Sequence, residues 1–437
     1  MFIKILLRQG LKRILLLKYK NLETDKKRII ANFFSLSTLE VVNYIIPLIT
    51  LPYLVRVLGP GKYGIVAFAQ VFAWYFVIAA DYGFYLSAPR KISINRDDIS
   101  LVSKIYSRIM IIKFLFMLIS TGIFFVLILS ISRFTNDKLV FLFSMLNVLA
   151  DFLFPAWFFQ GIERMKLITY FYFIAKGFFL ITIFLFIKTP AAYLYVPLFN
   201  NLGLIISGFL SLYVIHKNYK IKIYFPTLEE IKEEIKDEFY YFVSTVSINA
   251  YTNSGTFILG LFAGNVFVGY YSAAERLIRA IQRILWAASQ SVYPHINRLV
   301  SESSEKGLKF IKRLMFFFCG SFFLISLVIF VFARIIISLV LGAQYTESYY
   351  VLLILAFLPF VISLGNIFGI QTMLPLGMIK PYSKIVFIAA ILNILFSMVM
   401  ANLLRHIGIA VAVLLTEIFI VISTLLYLKN KKIKIGI

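Results

Sequence analysis

The sequence predicts an all-α integral membrane protein with about twelve transmembrane helices in two six-helix lobes around a central cavity. Three observations predict it. First, 61% of the 437 residues are hydrophobic, yet 44 Lys and Arg against 20 Asp and Glu leave a formal net charge of +24, at a mean hydropathy of +0.90. Soluble domains are roughly 45–50% apolar. Charge and hydropathy this high coexist only when charge sits in loops and apolar residues in bilayer spans, which excludes a soluble enzyme or a soluble nucleic-acid-binding protein. Second, apolar runs long enough to cross ~30 Å of hydrocarbon recur near 32–55, 63–87, 105–131, 139–160, 167–187, 191–215, 239–263, 266–293, 311–333, 349–375, 382–403 and 408–428. Third, landmarks repeat at an offset of 205: Gly59 and Gly64 recur as Gly264 and Gly269, Pro89 as Pro294, and Ala67 and Ala69 fall opposite Ser272 and Ala274. Several coincidences at one offset indicate duplicated lobes. An even number of spans in each makes the repeats parallel, related by an axis along the membrane normal.

The elements follow in order. Residues 1–31 are interrupted by Lys4, Arg8, Lys12, Arg13, Lys18 and Lys20, which a signal peptide's unbroken apolar core does not tolerate. Their Phe, Ile and Leu spacing suits a basic amphipathic segment on the inner membrane face, a basic tail being the alternative. Residues 32–215 form the N-lobe, spans one to six. The most charged stretch, 216–238, is a cytoplasmic connector whose lysines and glutamates over 229–238 suit an exposed helix with i, i+4 pairs. Residues 239–428 form the C-lobe, and 429–437 a basic tail. Pro89 and Pro294 are expected to close the spans they follow. With both termini inside, the cytoplasmic segments hold 31 Lys and Arg and the opposite loops 7, so the positive-inside rule places both termini in the cytoplasm. The outer loops are short, leaving no external domain for catalysis.

Span eight carries the chemistry. Arg276, Arg279 and Arg283 follow i, i+3, i+7 spacing and share one helix face; Gln290 continues the stripe. An arginine at the bilayer centre costs ~2.5–3.5 kcal/mol, so three facing lipid would cost roughly 8–10 kcal/mol. They are expected to face a wet, protein-lined interior. Two readings stand: an internal ion-pair network, in which Glu275 bridges Arg279, or a cationic patch for an anionic substrate, since guanidinium forks suit phosphate oxygens. Glu40, Asp81, Arg108, Lys113 and Asp151 lie toward the cytoplasmic ends of spans one to four and suit inner-gate salt bridges that break as the cavity opens inward. Lys176 and Glu417 fall near mid-span, where a substrate contact or a proton or ion site belongs. Glu275 and Glu417 complete the gating or ion-coupling candidates, and Arg276, Arg279, Arg283, Lys176, Gln290 and Asn253 the substrate-binding ones. Asn249, Ser254 and Gln371 add polar atoms at membrane depth. Tyr44, Tyr251, Trp74 and Trp157 are candidates either for stacking on sugars or for lipid and packing contacts.

Other chemistries lack their parts. Cys319 is the lone cysteine, and His216, His295 and His406 are scattered near span ends, so no disulfide framework, metal cluster or nucleophilic triad can be assembled. Gly59-Pro60-Gly61-Lys62-Tyr63-Gly64 matches G-x-G-x-x-G, but a dinucleotide site needs a preceding strand within a βαβ unit. Flanked by spans, it reads as a tight external turn.

The stretch 32–93, through Pro47, Pro52, Arg56, Leu58-Gly59, Gly64, Asp81, Gly83 and Arg90, resembles the N-terminal region of bacterial oligosaccharide flippases of the polysaccharide-transport family. Residues 251–282, through Leu259-Gly260, Gly269-Tyr270-Tyr271 and Ala273, are similar to that family's spans seven and eight. The resemblance implies a MATE-like fold shared with multidrug-and-toxin exporters and lipid II flippases. It implies a non-enzymatic, O-antigen-type flippase that moves an undecaprenyl-diphosphate-linked oligosaccharide repeat unit from the cytoplasmic to the periplasmic leaflet of the inner membrane. It implies a cationic lumen, which falls on Arg276, Arg279 and Arg283. No cofactor is implied, only H+ or Na+ coupling; where relatives carry an acidic residue early in span seven, this chain has Asn253-Ser254. The expected partners are the lipid-linked substrate and membrane lipids, with a polymerase and chain-length regulator as candidates, and the expected state is a monomer. The alternatives are a multidrug cation antiporter on the same fold, which would favour an acidic pocket, and a membrane polysaccharide polymerase or glycosyltransferase, which would present a large external loop.

Overall fold

Inside a bilayer each backbone polar group must be satisfied by its own segment or a closed barrel. The chain takes the first solution: the computed structural model, which describes residues 46–433 and all side chains there except 248, 250 and 251, contains helices and no strand among the described residues. Glu40, Tyr44, the 1–31 segment and residues 434–437 lie outside the described residues, as does the Tyr251 side chain.

The first half comprises α1 (46–81), α2 (Phe84–Ile94), α3 (Ile99–Ser130), α4 (Ser132–Thr135), α5 (Lys138–Leu153), α6 (Ala156–Gly161), α7 (Met165–Phe186) and α8 (Tyr195–Tyr219). The second comprises α9 (Leu228–Phe262), α10 (Asn265–Glu302), α11 (Ser304–Ile336), α12 (Ser348–Leu355), α13 (Leu358–Gly365) and α14 (Ile379–Asn430). In the first half α8 packs on both α5 and α7; in the second, α9 packs on α14 and α10 on α11 and α12. A shared core of Phe68, Phe72, Phe134, Phe141 and Phe257 joins α1, α4, α5 and α9. Leu118, Ile119, Val126 and Leu129 of α3 and Phe316, Phe317, Leu324 and Val331 of α11 remain exposed, the arrangement expected of lipid-facing surface.

Among the described residues, eight stretches are long and apolar enough to cross a membrane. Two of them contain a break: 46–94 at Gly59 (φ +68°) and Ile379–Asn430 at Arg405 (φ +52°, ψ −126°). α9 and α10 fall below that apolar standard because Asn249, Thr252 and Asn253 interrupt the one and Glu275, Arg276, Arg279 and Arg283 the other. With these included, the described residues hold twelve crossing segments, the first only in part.

Two local expectations need correction. Pro89 and Pro294 lie inside α2 and α10, which run on to Ile94 and Glu302. A proline deletes one N–H and bends the axis, and the remaining turns carry the helix past it. Residues 229–238 are helical, with Glu229, Lys232, Glu233, Lys236 and Asp237 exposed as an amphipathic helix requires, but they are not an element of their own. α9 starts at Leu228 under a Thr227–Glu230 capping box and continues straight into the membrane. Its Glu230, Glu234 and Glu238 face is turned toward α2 and α3.

Candidate functional site

α10 begins where Gly264 adopts φ +96°, and α1 resumes after Gly59 at φ +68°, so the repeat of offset 205 is written in the backbone. Small residues on the first turns let these helices touch. A Cβ on Gly64 would lie 1.8 Å from the Asn265 carbonyl oxygen, and one on Gly269 would lie 2.0 Å from the Pro60 carbonyl oxygen. Asn265 is Pro60 shifted by 205 and Gly269 is Gly64 shifted by 205, so the contact is reciprocal about a pseudo-two-fold axis. The third glycine of the G-x-G-x-x-G match is therefore a packing position. Arg133 locks the crossing by donating to the Gly260 carbonyl (2.9 Å) and the Asn265 Oδ1 (2.7 Å), and Arg56 donates to the Leu339 carbonyl.

Beyond the crossing the helices part around a cavity of about 620 Å³ lined from α1, α5, α7, α8, α9 and α10. Its charged lining is Arg276, Arg279, Arg283, Lys176 and Glu275, four basic groups to one acidic. Arg276 donates to the Gln70 Oε1 (3.2 Å) and lies 5.3 Å from the Tyr63 ring centre. Arg279 donates to the Thr252 carbonyl (2.7 Å) and the Glu275 Oε1 (2.9 Å), and Glu275 also accepts from the Tyr271 hydroxyl (3.0 Å). Opposite, Lys176 of α7 donates to the Asn200 Oδ1 at 3.3 Å. The i+4 pair that the ion-pair reading needs is thus present, and within the lining one carboxylate stands among four cations. The lining keeps excess positive charge in a low-dielectric setting, where Coulomb forces on an anion are strong.

The halves also meet on the side bearing the 220–227 connector. Lys91 of α2 bridges Glu234 and the buried Glu238 of α9, each at 2.6 Å, and Arg108 of α3 pairs with Glu230. Tyr82 stacks on Phe242 at 4.7 Å, with Gly83 (φ +89°) against the α9 backbone. Glu230 sits outside the spans. The Thr227 backbone N–H, and after it the Arg108 guanidinium and Tyr224 hydroxyl, hold it below the usual carboxylate range.

The structure brings some predicted residues together and separates others. Arg276, Arg279, Arg283, Lys176, Asn253 and Glu275 line one cavity. Gln290 does not: it is exposed, seven residues and so ~10 Å of helix past Arg283. Glu417 is half-buried on α14, outside the lining. Buried Lys113 and Asp81 form a triad with the partly exposed Asp151 (Lys113 to Asp81 2.7 Å, to Asp151 2.9 Å). Its members come from α1, α3 and α5 of the same half, so parting the halves leaves it intact; Arg108 is the member of that group that reaches across to α9. Trp157 is buried in packing, and Gln371 is tied to Ser289.

Sequence reasoning missed Asn147, Asn200, Asn201, Gln70 and Thr256 in the lining. The repeat held a signal for one of them. Shifted by 205, Ala67, Gln70, Val71 and Trp74 become Ser272, Glu275, Arg276 and Arg279, and all eight line the cavity.

The signature described as "Polysaccharide biosynthesis protein" matches residues 29–300. The chain is 28% identical over 416 residues, 94% of its length and 99% of the relative's, to a protein of Escherichia coli (strain K12) named "Putative O-antigen transporter". A Shigella dysenteriae protein of the same name is 28% identical over 398 residues, 90% of this chain and 98% of its own. Among solved structures, the lipid II flippase MurJ in an inward closed conformation superposes with a TM-score of 0.70 at 16% identity, covering 92% of this chain and 87% of that one. An inward-facing multidrug resistance MATE family transporter of the MOP superfamily gives 0.69 at 13% identity, covering 92% and 98%. The all-α, MATE-like membrane fold is thereby shown, and these relatives are named for transport rather than catalysis.

Proposed function

The chain belongs to the polysaccharide biosynthesis protein family, and from that membership and the cavity together we propose that it flips an undecaprenyl-diphosphate-linked oligosaccharide, an O-antigen-type repeat unit, from the cytoplasmic to the periplasmic leaflet. The lobes would be 32–215 and 239–428, with the connector and both termini cytoplasmic, in the inner membrane. Alternating access would expose the cavity to each side in turn, while the polyprenyl tail stays in lipid. The observation that carries the reading is the cationic lining at membrane depth, supplied by both halves. Arg276, Arg279 and Arg283 on α10 face Lys176 on α7, suited to the two phosphates of a glycosyl diphosphate. An exporter of cationic drugs on the same fold would place like charge against like.

The test is complementation of a deletion strain with variants present at normal membrane levels. Arg276→Ala and Arg279→Ala should each abolish surface polysaccharide. Lysine at either position should restore part of it, because charge survives without the bidentate fork. Wild-type polymer from the alanine variants would sink the reading.

A further inference from the structure

The cavity has a second wall of different chemistry. Where the C-terminal half presents Arg279, the repeat-related position of the N-terminal half presents Trp74. The indole is pinned by its edge: Nε1 donates to the Asn249 Oδ1 at 3.0 Å, and the Asn249 Nδ2 donates to the Thr245 carbonyl at 2.8 Å. Yet 40% of the residue's surface stays exposed, and it lines the cavity. The polar side chains that hold it are neutral amides, and Asn147 of α5 lines the same cavity. Asn253 reaches the Asn249 Oδ1 with its Nδ2 (3.4 Å), and Asn147 makes no hydrogen bond among the described residues.

A fixed aromatic face beside uncharged groups that both donate and accept is poorly matched to phosphate. It is well matched to a pyranose, which offers an apolar C–H face and a rim of hydroxyl or acetamido groups. The spacing agrees. Trp74 is one helical turn, ~6 Å, along α1 from Gln70, the residue that receives Arg276. A phosphate held by the arginine stripe would place its attached ring over the indole.

We infer that Trp74, with Asn253 and Asn147, forms a sugar subsite that reads the first residue attached to the diphosphate. The inference rests on the flippase reading above and adds a division of labour. The α10 wall holds the group common to every substrate, and the Trp74 wall discriminates among sugars. Discrimination by hydrogen bonding is steep, because the wrong sugar leaves polar groups unpaired.

The experiment uses the full chain in nanodiscs, with binding of undecaprenyl diphosphate, undecaprenyl-diphosphate-N-acetylglucosamine and undecaprenyl-diphosphate-galactose measured side by side. The wild type should prefer one sugar-bearing lipid to bare undecaprenyl diphosphate by about ten-fold or more. Trp74→Ala and Asn253→Ala should bring that ratio toward one, and Trp74→Phe, which keeps a ring, should retain much of it. If Trp74→Ala does not reach the membrane, Trp74→Leu and Asn147→Leu carry the same measurement. No preference in the wild type, or an unaltered ratio in the variants, overturns the subsite. Arg279→Ala should instead weaken all three lipids together. If it leaves bare undecaprenyl diphosphate binding intact, the cationic-wall reading fails separately.

Discussion

On the Gly59 side the two halves meet backbone to backbone, Gly64 against the Asn265 carbonyl and Gly269 against the Pro60 carbonyl. On the connector side they meet through charge, Lys91 between Glu234 and Glu238 and Arg108 on Glu230, with one aromatic stack. The first contact depends on shape: van der Waals attraction is lost over a fraction of an ångström, and salt does not screen it. The second depends on partly exposed charge, which tolerates small displacements and weakens with ionic strength. If the cavity opens to each side in turn, as proposed above, the two seams would respond to different perturbations.

The largest expected effect on transport comes from breaking the shape-dependent side. Gly64→Ala puts a methyl where the Asn265 carbonyl already lies, so the helices must separate. Overpacking of this kind costs ~1–3 kcal/mol. With cysteines at Gly61 and Val266, whose side chains would approach within 3.6 Å, and Cys319 replaced, disulfide formation should fall about ten-fold or more, and transport with it. Gly122→Ala is the counterpart, since nothing lies within 4 Å of its Cβ; it should leave that cross-link alone and stabilise α3 by up to ~1 kcal/mol.

Among effects on stability rather than transport, the largest is expected at the triad, charge that does not span the halves. Lys113→Met strands the buried Asp81 and unpairs the partly exposed Asp151, a loss of ~3–5 kcal/mol. It should appear as a lower unfolding midpoint in detergent, recovered in large part when Asp81→Asn and Asp151→Asn are added.

Smaller again is the ionic clasp. Lys91→Ala leaves Glu238 buried and unpaired, but Lys91 is 31% exposed, so the cost should be nearer ~1–3 kcal/mol. Glu238→Gln in the same chain should recover most of it, by the same unfolding measurement.

The smallest effect sharpens the comparison by its absence. Glu230 has a lowered pKa, so its contribution is fully present above the unfolded carboxylate value of ~4.3 and is lost only as pH falls through the still lower folded value. Between pH 5 and 8, proteolysis of the 220–227 connector should not follow this group, whereas raising salt should speed it. A transition in that window would mean that Glu230 does not hold the clasp.

What could be read from the sequence was what repeats along one helix. The arginines of α10 were legible because i, i+3, i+7 spacing fixes a face without tertiary knowledge. The same rule misled at Gln290: a face continues along the axis, but the cavity ends. Lys176 could be identified as buried charge, yet its place opposite the arginines depends on how α7 packs on α8, which no local pattern encodes. The asparagines of α5 and α8 were invisible for a related reason, since one amide in an apolar run carries no period. The inner-gate expectation grouped residues by depth, and depth does not say which neighbour a side chain meets. Even the hydropathy weakness of α9 and α10 was informative, because helices that line water lose the apolar signal that finds helices facing lipid.

The reciprocal glycine crossing also has a bearing on ancestry. A surface in which position i meets j and position j meets i is isologous, the kind that closes a two-fold homodimer. A half-length chain carrying one Gly-Pro turn and one small-residue turn would have both sides of the contact already, so two copies could seal against each other before any gene fusion. Once the copies were joined they were free to diverge. Pro60 has Asn265 as its counterpart, where Arg133 now anchors, and Trp74 of one helix has Arg279 as its counterpart on the other. The seam that needs symmetry is symmetric, and the walls of the cavity are not.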